Sequence, residues 1–197
     1  MLIFKEILDR GTAANIPPGR TLFARDWYRD AATQISSSRV TPNRVEKSFE
    51  QKRKVSRLEL GNMYMFVYDP KTKMDLPYYD TFPLIFPVEK HTDGFMGINF
   101  HYLPLILRAN LMNAIYSTAT DRKYDENTKI VLTYSILKRA SKYKAFKPTL
   151  KKYLNSHVRS PFLEITAKEW DIALFLPTER FKKSSKEKIW KDSREMI

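Results

Sequence analysis

The chain of 197 residues has no cysteine, few glycines and no long apolar run. Without cysteine, disulfide bridges and thiolate metal sites are excluded. No apolar stretch approaches the roughly 18 residues that a membrane-spanning helix needs. The N-terminal residues also lack the positive start and the small-residue cleavage site of a signal peptide. We therefore expect a soluble protein that is made inside the cell.

The signatures of common enzyme classes are missing as well. The five glycines form neither a phosphate-cradling loop nor a dinucleotide fingerprint, and no serine stands in a Gly-x-Ser-x-Gly setting. No two of the three histidines have the i,i+4 spacing of a helical zinc site. We expect His101 to be a buried, hydrogen-bonded histidine at the end of a strand. The sequence thus predicts no catalytic residue, no metal and no cofactor.

One catalytic hypothesis stays open, a Mg²⁺-dependent nuclease. Asp69, Asp80 and Glu89 lie in a predicted β region, and two or three carboxylates can hold the metal of such an enzyme. The Asp…Glu-x-Lys pattern of these nucleases is absent, because Glu89 and Lys90 are adjacent. Neighbours on a strand point to opposite faces. The nuclease is therefore the weakest of the alternatives.

Positive charge is in excess, with 35 Lys and Arg residues against 22 Asp and Glu residues. The excess is concentrated between Asn127 and Phe162, where nine cations occur without a single acid. A solvated helix normally mixes both signs, because oppositely charged i,i+4 pairs support it. The candidate binding residues are Lys129, Lys138, Arg139, Lys142, Lys144, Lys147, Lys151, Lys152 and Arg159.

An acid-free run of cations needs a reason outside the chain, and a polyanion is the commonest one. Clustered Lys and Arg residues gain affinity for phosphate backbones because binding releases counterions. We therefore expect these residues to bind either nucleic acid, through its phosphate backbone and without sequence preference, or an acidic protein. A solvated basic face that only aids solubility is the third alternative.

The apolar pattern predicts an α+β protein. Between Gly61 and Tyr68, apolar residues occupy both faces of a strand, which is typical of a strand buried on both sides. We expect Tyr64 and Phe66 to lie in the core rather than to stack nucleobases. Tight turns join the strands into a small antiparallel sheet or SH3-like barrel, followed by helices, with extended N- and C-terminal arms. The predicted strands cover residues 61–68, 82–88, 95–102 and 162–165, and the predicted helices cover residues 21–35, 103–116, 128–142 and a segment that begins near residue 147.

Composition divides the chain into three parts. Residues 1–57 form an N-terminal arm with a helix, residues 58–177 an α+β core domain, and residues 178–197 a basic tail. Residues 166–169 match a capping box, which opens a further helix. The tail has few apolar anchors and is expected to fray when it is alone.

Several segments resemble a known family. They are Gly61-Asn-Met-Tyr-Met-Phe-Val-Tyr-Asp-Pro-Lys-Thr-Lys, Leu76-Pro-Tyr-Tyr-Asp-Thr-Phe-Pro-Leu and Gly94-Phe-Met-Gly-Ile-Asn-Phe-His-Tyr-Leu-Pro104. The continuation through Ser141-Lys-Tyr-Lys-Ala-Phe-Lys and Trp170-Asp-Ile-Ala-Leu-Phe-Leu-Pro177 is similar too. Over about residues 55–195, the sequence resembles virion proteins of T4-like tailed phages that act as DNA end protectors.

The resemblance implies a non-enzymatic virion protein that caps genome ends near the head–tail junction, within a large assembly of virion proteins. Such a protein is made in the host cytoplasm and carried in the virion. The contact of the cations with phosphates is our inference from charge and is not taken from the family. The alternative function is an architectural neck, tail or baseplate subunit whose basic surface docks on acidic virion proteins.

Overall fold

The computed structural model describes residues 3–15, 54–119, 121–165, 170 and 178–195. The strands are β1 (Lys54–Val55), β2 (Met63–Met65), β3 (Tyr79–Asp80), β4 (Leu84–Lys90), β5 (Gly94–Asn99), β6 (Leu150–Leu154), β7 (Phe162–Ile165) and β8 (Phe181–Lys182). The α-helices are α1 (Ile3–Ala13), α2 (Leu105–Ala119), α3 (Glu126–Ala140) and α4 (Lys186–Glu195). Short 3₁₀ helices are η1 (Phe100–Tyr102), η2 (Lys144–Thr149) and η3 (Asn155–His157).

A six-stranded antiparallel sheet is the centre of the fold. Its strand order is β1-β7-β2-β4-β5-β6, and a separate two-stranded sheet pairs β3 with β8. The prediction of a mixed α+β protein with an antiparallel sheet is therefore confirmed. The predicted helices over residues 103–116 and 128–142 correspond to α2 and α3, and the predicted strand over residues 162–165 corresponds to β7.

Strand β2 is buried on both faces, as its apolar residues on both sides predict. Met63 and Met65 face a large cluster that includes Leu84 and Phe86. Tyr64 and Phe66 face a second cluster, which is rich in aromatic rings. Both Tyr64 and Phe66 are about 1% exposed, so they are core residues and not a platform for nucleobases.

The helices α1, α2 and α3 cover one face of the sheet. Phe4 and Ile7 of α1 are fully buried, and the backbone amide of Phe4 donates a hydrogen bond of 2.9 Å to the side-chain oxygen of Asn113 in α2. The N-terminal helix is therefore part of the same core as the sheet. None of the helices in the described part of the chain is long and apolar enough to cross a membrane.

The predicted SH3-like barrel is wrong in one respect, because the described strands form an open sheet whose end strands, β1 and β6, do not pair with each other. The segment near residue 147 is also not an α-helix: η2 leads directly into β6, which pairs with β5. The apolar spacing of Leu150, Tyr153 and Leu154 was compatible with a helix, but a segment of five residues is too short to distinguish the helical period from the strand period. This segment forms a strand because its backbone pairs with β5. Strands and helices therefore alternate, and the helices do not simply follow the sheet.

The C-terminal segment is not an extended arm. Phe181 lies in β8 beside Asp80 of β3, Ile189 of α4 is fully buried, and the indole nitrogen of Trp190 donates a hydrogen bond of 2.8 Å to the carbonyl of His101. These are the few apolar anchors of the predicted tail, and docking on the core gives each of them a partner that an isolated tail lacks. Burial of an amphipathic helix face supplies most helical stability in proteins.

Three predictions are not tested by the described residues. The predicted helix over residues 21–35 and the capping box at residues 166–169 lie outside the described residues. The division of the chain near residues 57 and 177 into an arm, a core and a tail stays a prediction.

Candidate nucleic-acid interface

Helix α3 and the turn after it position the centre of the cationic run. The carboxylate of Asp125 caps the start of α3 and accepts a hydrogen bond of 2.9 Å from the amide of Thr128. At the other end, the amides of Ser141 and Tyr143 donate to the carbonyls of Leu137 and Ala140. A side-chain oxygen at the first position and tight backbone bonds at the last are the usual ways to satisfy helix ends.

The turn and the 3₁₀ helix that follow rest on buried residues. Leu137 is fully buried and Ala140 is 6% exposed, while Phe146 packs against the main core cluster. The hydroxyl of Thr149, which is also buried, donates a hydrogen bond of 2.7 Å to the carbonyl of Phe146. These buried residues hold the backbone of residues 139–147 in place. We call residues 139–147 the basic loop.

The basic loop presents four exposed cations to solvent. None of them has an acidic partner among the residues that the structure describes. Tyr143 lies between two of these cations in sequence and has 64% of its surface exposed. The four exposed cations are Arg139, Lys142, Lys144 and Lys147. The basic loop is therefore a cationic surface on a fixed backbone, with one exposed aromatic ring.

The hairpin between β4 and β5 supplies acids to two other cations of the run. Nζ of Lys138 lies 2.9 Å from Oε2 of Glu89, and Nζ of Lys152 lies 2.7 Å from Oδ2 of Asp93. The hydrogen bond from each lysine holds the pKa of its acidic partner below the usual range. The run therefore contains no acid in its sequence, but acids from the β4–β5 hairpin contact two of its lysines in the folded protein.

Lys129 has a local partner that the boundary of the run excluded. Its Nζ lies 2.7 Å from Oε1 of Glu126, one turn earlier in α3. Arg159 is exposed, and its guanidinium donates to the carbonyl of Ser156 at 3.2 Å. These two cations are therefore set apart from the basic loop by their contacts.

Lys151 differs from all the other candidates because it points toward the core. Its Nζ lies 4.2 Å from the centre of the buried Tyr102 ring, and burial lowers the pKa of Lys151 to about 8. Strand β6 explains the contrast with Lys152, since successive side chains of a strand point to opposite faces. Arg139, Lys142, Lys144 and Lys147 are thus the exposed cations of the basic loop, whereas the other five candidates are paired, half-buried or separate.

The carboxylates of the nuclease hypothesis are held by three different partners. Asp69 lies 2.8 Å from Lys73, Asp80 contacts His101, and Glu89 contacts Lys138. Within the described ranges, no three His, Cys, Asp or Glu side chains are grouped closely enough to hold a metal ion. The three carboxylates therefore do not form one site.

A buried ion network surrounds His101 of η1, and the sequence did not indicate it. Nδ1 of His101 lies 2.6 Å from Oδ2 of Asp80, and its Nε2 lies 3.0 Å from the hydroxyl oxygen of Thr178. The guanidinium of Arg108 donates a hydrogen bond of 2.9 Å to Oε1 of Glu179. His101 is fully buried and hydrogen-bonded, as predicted, but it lies in η1 and not at the end of a strand, because β5 ends at Asn99. We call Asp80, His101, Arg108 and Glu179 the buried ion network.

The buried ion network favours the ionised carboxylates. Burial alone raises the pKa of Asp80, but the charge and hydrogen bond of His101 outweigh burial, and the pKa is lowered. Burial also raises the pKa of Glu179, but nearby positive charge, most of it from Arg108, outweighs burial and the pKa is lowered. Because Thr178 and Glu179 belong to the C-terminal segment, the network fastens this segment to the core. We therefore expect the network to stabilise the fold.

Comparison with known proteins gives the family. A family model described as phage T4 terminal DNA protecting protein matches residues 22–193. No curated protein sequence and no solved structure matches the chain. The family match covers most of the chain, and it confirms both the resemblance to DNA end protectors and the prediction of a non-enzymatic virion protein. The chain belongs to the family of the phage T4 terminal DNA protecting protein, whose members are virion proteins that protect the ends of DNA.

Proposed function

We propose that this chain holds DNA ends by contacting the phosphate backbone of duplex DNA with the four cations of the basic loop. The observation that carries the proposal is their exposure without an acidic partner among the described residues. Contacts of this kind fix a protein on DNA without reading its sequence. That property suits a protein that must hold a DNA end whatever bases it carries.

The electrostatics of the basic loop support this assignment. Each phosphate neutralised on duplex DNA contributes about −0.9 to the slope of log K against log salt. Four contacts therefore contribute roughly 3 to 4 to the magnitude of that slope. Two of the cations, Arg139 and Lys142, also lie at the C-terminal end of α3, where they favourably oppose the helix dipole. Lys144 and Lys147 lie beyond α3, so the dipole of that helix does not account for them.

The place of the protein in the particle is the second part of the proposal. We place it near the head–tail junction, in contact with other virion proteins, as the resemblance to end protectors implies. The acidic residues of such neighbours would compete with DNA for the same cations. An architectural neck, tail or baseplate subunit is therefore the outcome to be distinguished from DNA binding.

A salt titration of DNA binding tests the proposal. The affinity of purified protein for a blunt linear duplex is measured at several salt concentrations, for the wild type and for a variant in which all four basic-loop cations are Gln. We expect the variant to lose most of its affinity at low salt and about 3 to 4 in the magnitude of the slope. Both proteins should have the same thermal midpoint, because the four side chains are exposed.

A matched variant controls for net charge. It replaces four other exposed lysines with Gln, and we expect it to bind DNA almost as the wild type does. An equal loss in both variants would show that net charge alone drives binding and would overturn the assignment to the basic loop. Absence of DNA binding by the wild type at low salt would also overturn it and would favour docking on an acidic protein. The control residues are Lys71, Lys123, Lys182 and Lys188.

A further inference from the structure

The exposed ring of Tyr143 is the feature of the basic loop that phosphate binding does not use. It lies between Lys142 and Lys144, at the break between α3 and η2. Its amide donates to the carbonyl of Ala140, and its carbonyl accepts from the amide of Phe146, each at 3.0 Å. The backbone at Tyr143 is thus held from both sides while 64% of the residue is exposed.

A second exposed tyrosine shows what is particular to Tyr143. Tyr124 is 42% exposed, but it stands beside Asp125 and two residues from Glu126. No other aromatic residue of the described chain is among the exposed large apolar side chains. A single exposed ring is ordinary on a protein surface. Tyr124 follows Arg122 and Lys123 but precedes two acids, whereas Tyr143 has an exposed lysine on both sides, and neither lysine has an acidic partner among the described residues.

A DNA end differs from the interior of a duplex in one chemical respect that an aromatic ring can detect. In the interior, both faces of every base pair are covered by neighbouring base pairs. At an end, the outer face of the terminal pair is open to solvent. Aromatic side chains stack on such faces with little dependence on the base, because every base has a π-face. Phosphate contacts alone cannot distinguish an end, since the backbone charge is repeated along the whole duplex.

We propose that Tyr143 stacks on the open face of the terminal base pair, while Lys142 and Lys144 contact the phosphates of the last nucleotides. This inference rests on the proposed function of the basic loop and adds the element that recognises an end. The cations supply affinity for any stretch of DNA, and the ring supplies the preference for its terminus. The ligand is therefore a duplex end with an exposed terminal base pair.

Competition between linear and closed DNA tests the proposal. A labelled blunt duplex is bound to the protein and then displaced by one plasmid, which is either closed and relaxed or linearised to blunt ends. The concentration of labelled duplex ends and the salt concentration are the same in both titrations. We expect linear DNA to compete better against the wild type. We expect Tyr143→Ala to reduce affinity for ends about five- to a hundredfold, which is the contribution of one stacked base. Its binding to closed DNA and its salt slope should be unchanged.

Three further variants separate stacking from general effects. Tyr143→Phe should keep the preference for ends, because it keeps the ring, whereas Tyr143→Leu should lose it. Tyr124→Ala is the matched control and should behave as the wild type. Replacement of the terminal base by 2-aminopurine gives a direct readout, since its fluorescence should change on binding of the wild type and not of Tyr143→Ala.

The outcomes for the two proposals are distinguishable. If Tyr143→Ala keeps the full preference for ends, or if the wild type has none, stacking by Tyr143 is overturned, while phosphate binding by the basic loop stands. If the variant with four Gln residues in the basic loop binds DNA as the wild type does, phosphate binding by the loop is overturned instead. A preference that survives Tyr143→Phe and disappears in Tyr143→Leu supports stacking.

Discussion

The basic loop and the buried ion network both contain cations, but in opposite surroundings. In the buried ion network, Arg108 is 1% exposed and is paired with Glu179, which is 7% exposed. In the basic loop, the cations are exposed and have no acidic partner among the described residues. A buried charge must be paired within the fold, whereas an exposed charge is solvated by water and remains available to an external partner. The environment of each cation, and not its residue type, therefore indicates its role.

Loss of one partner in the buried ion network should have the largest effect. Arg108→Met leaves the carboxylate of Glu179 buried without its cation, and we expect a loss of roughly 3–5 kcal/mol in the free energy of unfolding. Urea denaturation measures this loss. DNA affinity of the folded fraction should be unchanged, because Arg108 is not part of the basic loop.

The double variant Arg108→Met/Glu179→Leu is its control. Replacing both partners of a buried pair by apolar residues removes the unpaired charge, so much of the lost stability should return. A single variant that is as stable as the wild type would contradict the structural role of the network. If Arg108→Met loses DNA affinity while it remains folded, the buried ion network and the basic loop do not act independently.

Lys151 belongs to the run of cations but is half-buried. Its lowered pKa, about 8, means that the unfolded state binds more protons between this value and the ordinary lysine pKa near 10.4. The contribution of Lys151 to stability therefore rises with pH across that window. Lys151→Met should gain at most roughly 3 kcal/mol at neutral pH, and the gain should shrink toward pH 10. Urea midpoints of both proteins, measured at each pH, give this difference.

Two outcomes would contradict that account of Lys151. A lower midpoint for Lys151→Met at neutral pH would mean that contact with the Tyr102 ring stabilises the fold more than burial of the ammonium costs. A loss of DNA affinity as large as that of a basic-loop variant would mean that Lys151 contacts phosphate. We expect the DNA affinity of Lys151→Met to equal that of the wild type.

The smallest effects should come from single cations at the surface. Lys144→Gln should reduce the magnitude of the salt slope by about one. Lys138→Gln and Lys152→Gln should reduce it less, because Glu89 and Asp93 already neutralise these lysines. Salt titrations of the three variants against one duplex measure the difference. Equal losses in all three would show that DNA displaces the acids and that the interface extends to the β4–β5 hairpin.

Much of the fold could be predicted from local sequence, for identifiable reasons. Strand β2 has apolar residues on both faces, and a buried strand satisfies that pattern, so its existence and burial were predicted, although it covers only Met63–Met65 of the predicted residues 61–68. Helix α3 was predicted because Ile130, Tyr134 and Leu137 recur at helical spacing. Strand β6 was missed because Leu150, Tyr153 and Leu154 fit either period. Its identity depends on β5, which lies more than fifty residues earlier in the chain.

The candidate site could be predicted only as a region. The sequence identified the run of cations. It did not indicate which cations are neutralised, because Glu89 and Asp93 are 49 and 59 residues away from their lysine partners. The buried ion network was missed for the same reason, since Arg108 and Glu179 are 71 residues apart. Only His101 carried a local signal, at the end of a strand pattern.

The fold class, the excess of positive charge and the resemblance to DNA end protectors could all be inferred from the amino-acid sequence. These properties depend on composition, on short-range periodicity and on the order of residues within segments. The tertiary structure alone decided which cations remain available and which are paired or buried. It also decided that the C-terminal segment docks on the core and that Tyr143 stays exposed. Distances between side chains far apart in sequence decide these points, because Coulomb attraction and burial depend on proximity in space.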